Sequence, residues 1–218
     1  MYKSSSACFI EIQATISRFG FGLLFAILLI QTGCSTPGQS VSSDFESLTP
    51  VTILDAPSPD PAGTASVDPQ LAARGKYMVE LLGCGSCHTD GALIGLPDNS
   101  RLLAGSRTGI AYSDPLRQKN PGIVYPSNLT PDGDTGIGNW SDDEIMQMVK
   151  HGIDRHGSRK LPIMPWPAYA RLSDEDARAI ISYLRSIPPV KHEVPADVKP
   201  GAKASHPFVY FGVYRKRP

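Results

Sequence analysis

The sequence lacks an excess of either charge, any long hydrophobic run and any cysteine pair to spare. It carries 21 basic and 21 acidic side chains in 218 residues, so there is no basic patch of the kind that holds nucleic acid. The longest apolar run is Phe19–Ile30. As a helix it rises about 18 Å, short of a bilayer core of about 30 Å. Four cysteines are present, but Cys8 and Cys34 belong to the N-terminal leader and Cys84 and Cys87 form a CxxC pair. That leaves none for a disulfide framework. No run alternates clearly enough to read as a strand. What is abundant is glycine and proline, 20 of each, which predicts a loop-rich chain.

Residues 1–33 read as an export signal, with Lys3 and Arg18 supplying the positive flank and Phe19–Ile30 the apolar core. The alternative is an uncleaved membrane anchor extended by Gln31-Thr32-Gly33. The leader ends Gly33-Cys34, which resembles the bacterial lipoprotein box, where the cysteine is acylated. Gln31 stands where that pattern has leucine. Cys34 is therefore the expected lipidation site, and an N-terminal lipid or anchor would hold the chain on the periplasmic face of a bacterial membrane. Residues 34–67 are rich in Ser, Pro, Gly, Asp and Thr, too polar to form a core, and are expected to be a flexible tether. A coil of ~33 residues spans on the order of 30 Å.

A domain is expected over 68–190, mostly α with long loops, followed by a tail over 191–218. Asp68-Pro69 is a helix start, with a capping side chain followed by proline at the first helical position. Leu71, Gly75, Met78 and Leu82 follow at helical spacing, and the helix should stop at Gly83. Ser141-Asp142-Asp143-Glu144 is a capping box leading into Ile145, Met148 and Val149, with Gly152 as the stop. Ser173 starts a third helix with its stripe at Ala177, Ile180, Ile181, Leu184 and Ile187, ended by Pro188-Pro189. Between Thr89 and Asn139 lies an irregular stretch long enough to wrap something. Phe208-Val209-Tyr210-Phe211 in the tail is apolar and is expected to pack back on the domain, with docking to a partner as the alternative.

The chemical signal is Cys84-Gly85-Ser86-Cys87-His88. Two thiols at this spacing can each add to one vinyl group of a haem, and the adjacent histidine can ligate the iron. The alternatives are zinc, for which His151 and His156 would be further ligands, and thiol–disulfide exchange. A redox CxxC normally sits in a βαβ context, which the pattern does not offer.

Arg74–Val190 resembles the class I cytochrome c family, both its single-haem members and single domains of the cytochrome subunits that serve periplasmic dehydrogenases. The resemblance rests on the CxxCH, on Asn128-Leu129-Thr130-Pro131-Asp132, on Thr135-Gly136-Ile137-Gly138-Asn139-Trp140, on Leu161-Pro162-Ile163-Met164-Pro165 and on Tyr183-Leu184-Arg185. It implies a class I cytochrome c fold in which the first and last helices cross near Gly75 and Tyr183. It also implies one covalent haem c on Cys84 and Cys87, with His88 and a methionine as axial ligands. Unlike the multihaem subunits, this chain has one CxxCH.

Met164 is the expected sixth ligand. Pro162, Pro165 and Pro167 stiffen its segment and keep it out of a helix, and Met164-Pro165 matches the family's ligand loop. Its competitors are Met78, Met146, Met148, His151 and His156, the last being the strongest because it lies in a loop. Arg159 and Trp140 are candidate contacts to the haem propionates, through a guanidinium and an indole N–H. The alternatives for these two are an exposed loop arginine and a core aromatic. The expected function is single-electron transfer outside the cytoplasm between redox partner proteins, a donor dehydrogenase or respiratory complex and an acceptor oxidase or cytochrome. The rivals are a cytochrome subunit fixed in a dehydrogenase complex, a haem peroxidase and a haem sensor. On this reading the chain is not itself an enzyme.

Overall fold

Helix α1 begins where the side chain of Asp68 accepts hydrogen bonds from the backbone of Gln70 and Leu71, and it runs over Pro69–Leu81. In the computed structural model, which describes residues 54–60, 67–113 and 120–210, Gly83 then turns the chain with φ 69° and a separate short helix, α2, spans Cys84–His88. The expected leader, Cys34, most of the tether and the end of the tail lie outside the described residues.

Helix α3 covers Asp142–His151. Its capping box is complete, with the Ser141 side chain on the Glu144 N–H and the Glu144 side chain on the Ser141 N–H, and Gly152 closes it at φ 63°. A short helix α4 spans Trp166–Tyr169. Helix α5 runs over Asp174–Ser186, capped by Ser173. Acidic residues fill the first turns of α3 and α5, where the partial positive charge of the helix end favours them.

Helices α1 and α5 cross at Gly75. A Cβ there would lie 1.9 Å from the carbonyl oxygen of Ala179 and 2.6 Å from the Cβ of Tyr183, so only glycine permits this approach. Met78 and Val79 of α1, Ile180, Ile181, Tyr183 and Leu184 of α5, Ile145 of α3, and Leu103, Ile137 and Ile187 make the main core. Each such side chain contributes about 1.5–3 kcal/mol on burial. From α3, Met146 and Val149 also pack on this core; Met146 takes the place expected of Met148. Arg185 ties α5 to the start of α3, donating to the carbonyls of Ile137, Gly138 and Trp140 and to the carboxylate of Asp142.

The stretch expected to hold no strand contains part of a small sheet. Strand β1 (Gly109–Ala111) is central, with β2 (Ile123–Val124) antiparallel on one side and β3 (Phe208–Tyr210) parallel on the other. The register pairs Ile110 with both Val124 and Val209. Two or three residues are too short to show a period, and β3 comes from the far end of the chain. The apolar tail does pack back, with Val209 buried beside Leu93 and Ile110.

Part of the stretch expected to be a free tether is also docked. Within residues 54–60, Ala56 packs on the main core and its N–H donates to Glu80. The Tyr183 hydroxyl donates to the Pro57 carbonyl at 2.6 Å, and the Asp60 N–H donates to the Ser186 carbonyl at 2.7 Å. Backbone hydrogen bonds and one small apolar contact hold this strap, neither of which a composition argument registers. Tyr183→Phe removes one of them. It is expected to cost about 1 kcal/mol and to expose residues 54–60 to protease; urea unfolding and limited proteolysis measure the two effects.

Candidate functional site

The site is built on α2. Cys84 and Cys87 stand at i and i+3, so they share one face of the helix. Cys84 packs against the main core, whereas Cys87 packs against the cluster of Leu93, Ile110 and Val209, as do Ile94 and Ile163. The two thiols thus stand where two apolar clusters meet, each partly exposed. Burial pushes the Cys84 thiol up to about 11 and raises that of Cys87. Thiol–disulfide exchange needs a thiol that ionises easily, so these surroundings favour a different use. Among the described residues, no group of three or more His, Cys, Asp or Glu is placed to hold a metal ion.

His88 follows Cys87 directly. Its Nδ1 lies 2.7 Å from the carbonyl oxygen of Ser127, so Nδ1 carries the proton and Nε2 keeps its lone pair. Burial lowers the pKa of His88, opposed by that hydrogen bond. A neutral imidazole held by a backbone carbonyl is the usual form of a metal-ligating histidine. Ser127 is held in turn. Buried Asn128 donates to the Val190 carbonyl and to Thr135, and accepts from the Thr130 N–H and hydroxyl. The Asn-Leu-Thr run therefore braces the carbonyl that fixes His88.

Met164 is half-buried, in a bend between Pro162 and Pro165. Two contacts tie its segment to the surroundings of α2. Ile163 packs in the cluster that contains Cys87. The Tyr169 hydroxyl donates to the Leu82 carbonyl at 3.3 Å, just ahead of Cys84. The hydroxyl's pKa is pushed up to about 12, by burial first and then by the charges that Cys84 and Cys87 would carry. The Trp166 ring lies over Gly152, where a Cβ would come within 2.6 Å of it, and its Nε1 donates to the Lys160 carbonyl. By contrast, His151 and His156 are exposed.

Arg159 is exposed and already engaged. Its Nη1 donates to the His151 carbonyl at 3.1 Å, and its guanidinium lies 5.2 Å from the Trp166 ring centre. Trp140 packs on the main core with Arg155 over its ring, and its indole N–H has no hydrogen-bond partner among the described residues. Sequence reasoning missed Ser127, because it acts through its backbone. It also missed Tyr169, whose contact to Leu82 spans 87 positions.

This donor set fits haem c. Two thiols flank an apolar seam, and the next residue presents an oriented imidazole with a free nitrogen.

The sequence model of the cytochrome c family matches residues 72–188. The chain is 35% identical over 131 residues to the cytochrome c subunit of a quinone alcohol dehydrogenase from Gluconobacter oxydans. It is 33% identical over 138 residues to the fructose dehydrogenase cytochrome subunit of Gluconobacter japonicus, and 36% over 121 residues to the gluconate 2-dehydrogenase cytochrome c subunit of Pantoea cypripedii. These alignments cover 59%, 63% and 55% of this chain but 24% of each relative, so the chain spans about a quarter of their length. The chain belongs to the cytochrome c family, whose members bind haem c and transfer electrons.

Proposed function

We propose that this chain is an extracytoplasmic single-electron carrier with one covalent haem c, attached through Cys84 and Cys87 and ligated by His88 and Met164. The observation that carries the reading is that the Met164 segment meets the surroundings of α2: Ile163 packs on the same apolar cluster as Cys87, and Tyr169 donates to the Leu82 carbonyl at the end of α1. The bound haem supplies a one-electron iron couple. The chain's residues do the rest: the thiols fix position, Ser127 orients His88, and the proline-stiffened loop holds the Met164 thioether with little entropy cost. Apolar side chains on both sides of α2 limit water, and the Trp140 indole is free to meet a propionate. Arg159 serves better as a brace for Trp166, through the contacts it already makes.

On this reading the cytochrome c domain spans 68–190, with residues 54–60 and 208–210 packed against it, and the leader and Cys34 anchor the chain on the periplasmic face of a bacterial membrane. A second reading makes the chain the cytochrome subunit of a membrane-associated dehydrogenase. Its support is that each of the three relatives is named as a cytochrome subunit of a dehydrogenase. Co-purification with a large partner under mild detergent separates a fixed subunit from a free carrier. Tight binding of carbon monoxide by the reduced native protein would instead favour a sensor or a peroxidase.

After extraction with acidified acetone, the denatured protein is expected to stay coloured and to exceed the mature polypeptide's mass by one haem. Colour that leaves with the solvent overturns covalent attachment, and a mass excess of two haems overturns the single site. Cys84→Ala and Cys87→Ala should each retain one thioether and give an unstable product.

A further inference from the structure

Four residues beyond the end of the family match, one buried imidazole plays no part in the site described. His192 is 3% exposed. Its Nδ1 lies 2.9 Å from the Ala104 carbonyl oxygen, so that nitrogen donates. Its Nε2 is buried with no hydrogen-bond partner and faces Asp90 Oδ2 at 3.8 Å. Leaving a buried polar atom unpaired is unfavourable, and a leucine would fill a similar volume without that cost. Packing alone does not call for histidine here.

What the imidazole holds leads to His88. The Gly105 N–H, next to Ala104, donates to the His88 carbonyl at 2.8 Å. The Ser106 N–H donates to the Pro126 carbonyl, and the Leu129 N–H donates to the Leu103 carbonyl. Residues 103–106 therefore run between the backbone of His88 and the segment that presents the Ser127 carbonyl to the His88 ring. The fit is close: a Cβ on Gly105 would lie 2.8 Å from Asn128 N and 2.6 Å from a Val194 methyl. Asp90 grips the same loop from the other side, accepting from the Arg107 N–H at 2.9 Å and from the Ser106 hydroxyl at 3.4 Å.

We propose that His192 is a positioning residue for the iron-ligating histidine, pinning residues 103–106 so that the Ser127 carbonyl stays in register with His88 Nδ1. The inference rests on His88 being the axial ligand. A firm Nδ1–H···O=C bond makes the imidazole a stronger donor to iron, which favours the ferric state. When the clamp slackens, the potential rises.

The test uses the haem-loaded full chain with His192→Leu and His192→Asn, since the asparagine amide can still donate to Ala104. Midpoint potential and exchange of the His88 ring proton by NMR are the readouts. His192→Leu should raise the potential and speed the exchange while keeping covalent haem and methionine ligation, and His192→Asn should restore both. Wild-type potential and exchange in folded His192→Leu overturn the proposal. If the leucine variant does not accumulate, His192→Gln replaces it, because its amide sits one methylene farther out. Equal potentials for Gln and Asn then overturn the proposal. A wild-type chain without covalent haem, read before any variant is made, overturns the functional assignment itself, and this inference falls with it.

Discussion

Met164→Ala is expected to lower the midpoint potential by on the order of 0.2 V, well inside the ~0.8 V that axial ligation spans. A thioether is a weak donor that favours ferrous iron, and loss of it leaves the site to water or to a stronger donor, both of which favour ferric iron. The weak far-red band of methionine-ligated ferric haem should vanish, and carbon monoxide should bind the reduced protein. Covalent attachment should be unaffected, because it depends on α2. The rest of the loop should also hold, since Tyr169 on Leu82 and the Trp166–Lys160 bond do not involve the methionine side chain. His156→Ala serves as the comparison. It removes an exposed residue at a loop tip, where the Asp154 side chain accepts the backbone N–H groups of His156 and Ser158. A persistent band in Met164→Ala, with a changed spectrum in His156→Ala, would move the ligand to His156.

Gly75→Ala should destabilise the domain by about 3 kcal/mol or more. On propensity alone the substitution gains about 1 kcal/mol, because alanine is the better helix former. Sterics outweigh that gain. The new methyl carbon would sit 1.9 Å from the Ala179 carbonyl oxygen, which is backbone and cannot rotate away, so α1 and α5 must separate. That opens the core at Met78, Val79, Ile180 and Tyr183, and overpacking of this kind is among the costly core changes. Helix α2 follows α1 after a single turn, so the thiols shift with it and the yield of haem-loaded protein should fall as well. The urea midpoint of the haem-loaded protein decides the sign; a midpoint at or above wild type would show that the helices do not meet at this glycine.

The starts of the three long helices were legible because capping is local. Asp68, Ser141 and Ser173 each bond backbone groups two or three residues ahead, and those residues are neighbours in the sequence. Helix α4 was missed because prolines around Met164 read as a stop, whereas Pro167 falls within its first turn, where proline is tolerated.

By itself, the sequence determined the pattern that depends on neighbours: thiols at i and i+3 with a histidine directly after, a stiff methionine segment, and capped amphipathic helices. Only the tertiary structure decided what depends on distant pairs. It placed the Ser127 carbonyl on His88, tied Tyr169 to Leu82, laid residues 54–60 across Tyr183 and Ser186, and set β3 beside β1. Several of these contacts end on backbone carbonyls. Every residue type carries that group, so composition and periodicity leave no trace of which one is used, and the choice is made by how the packed helices bring the chain together.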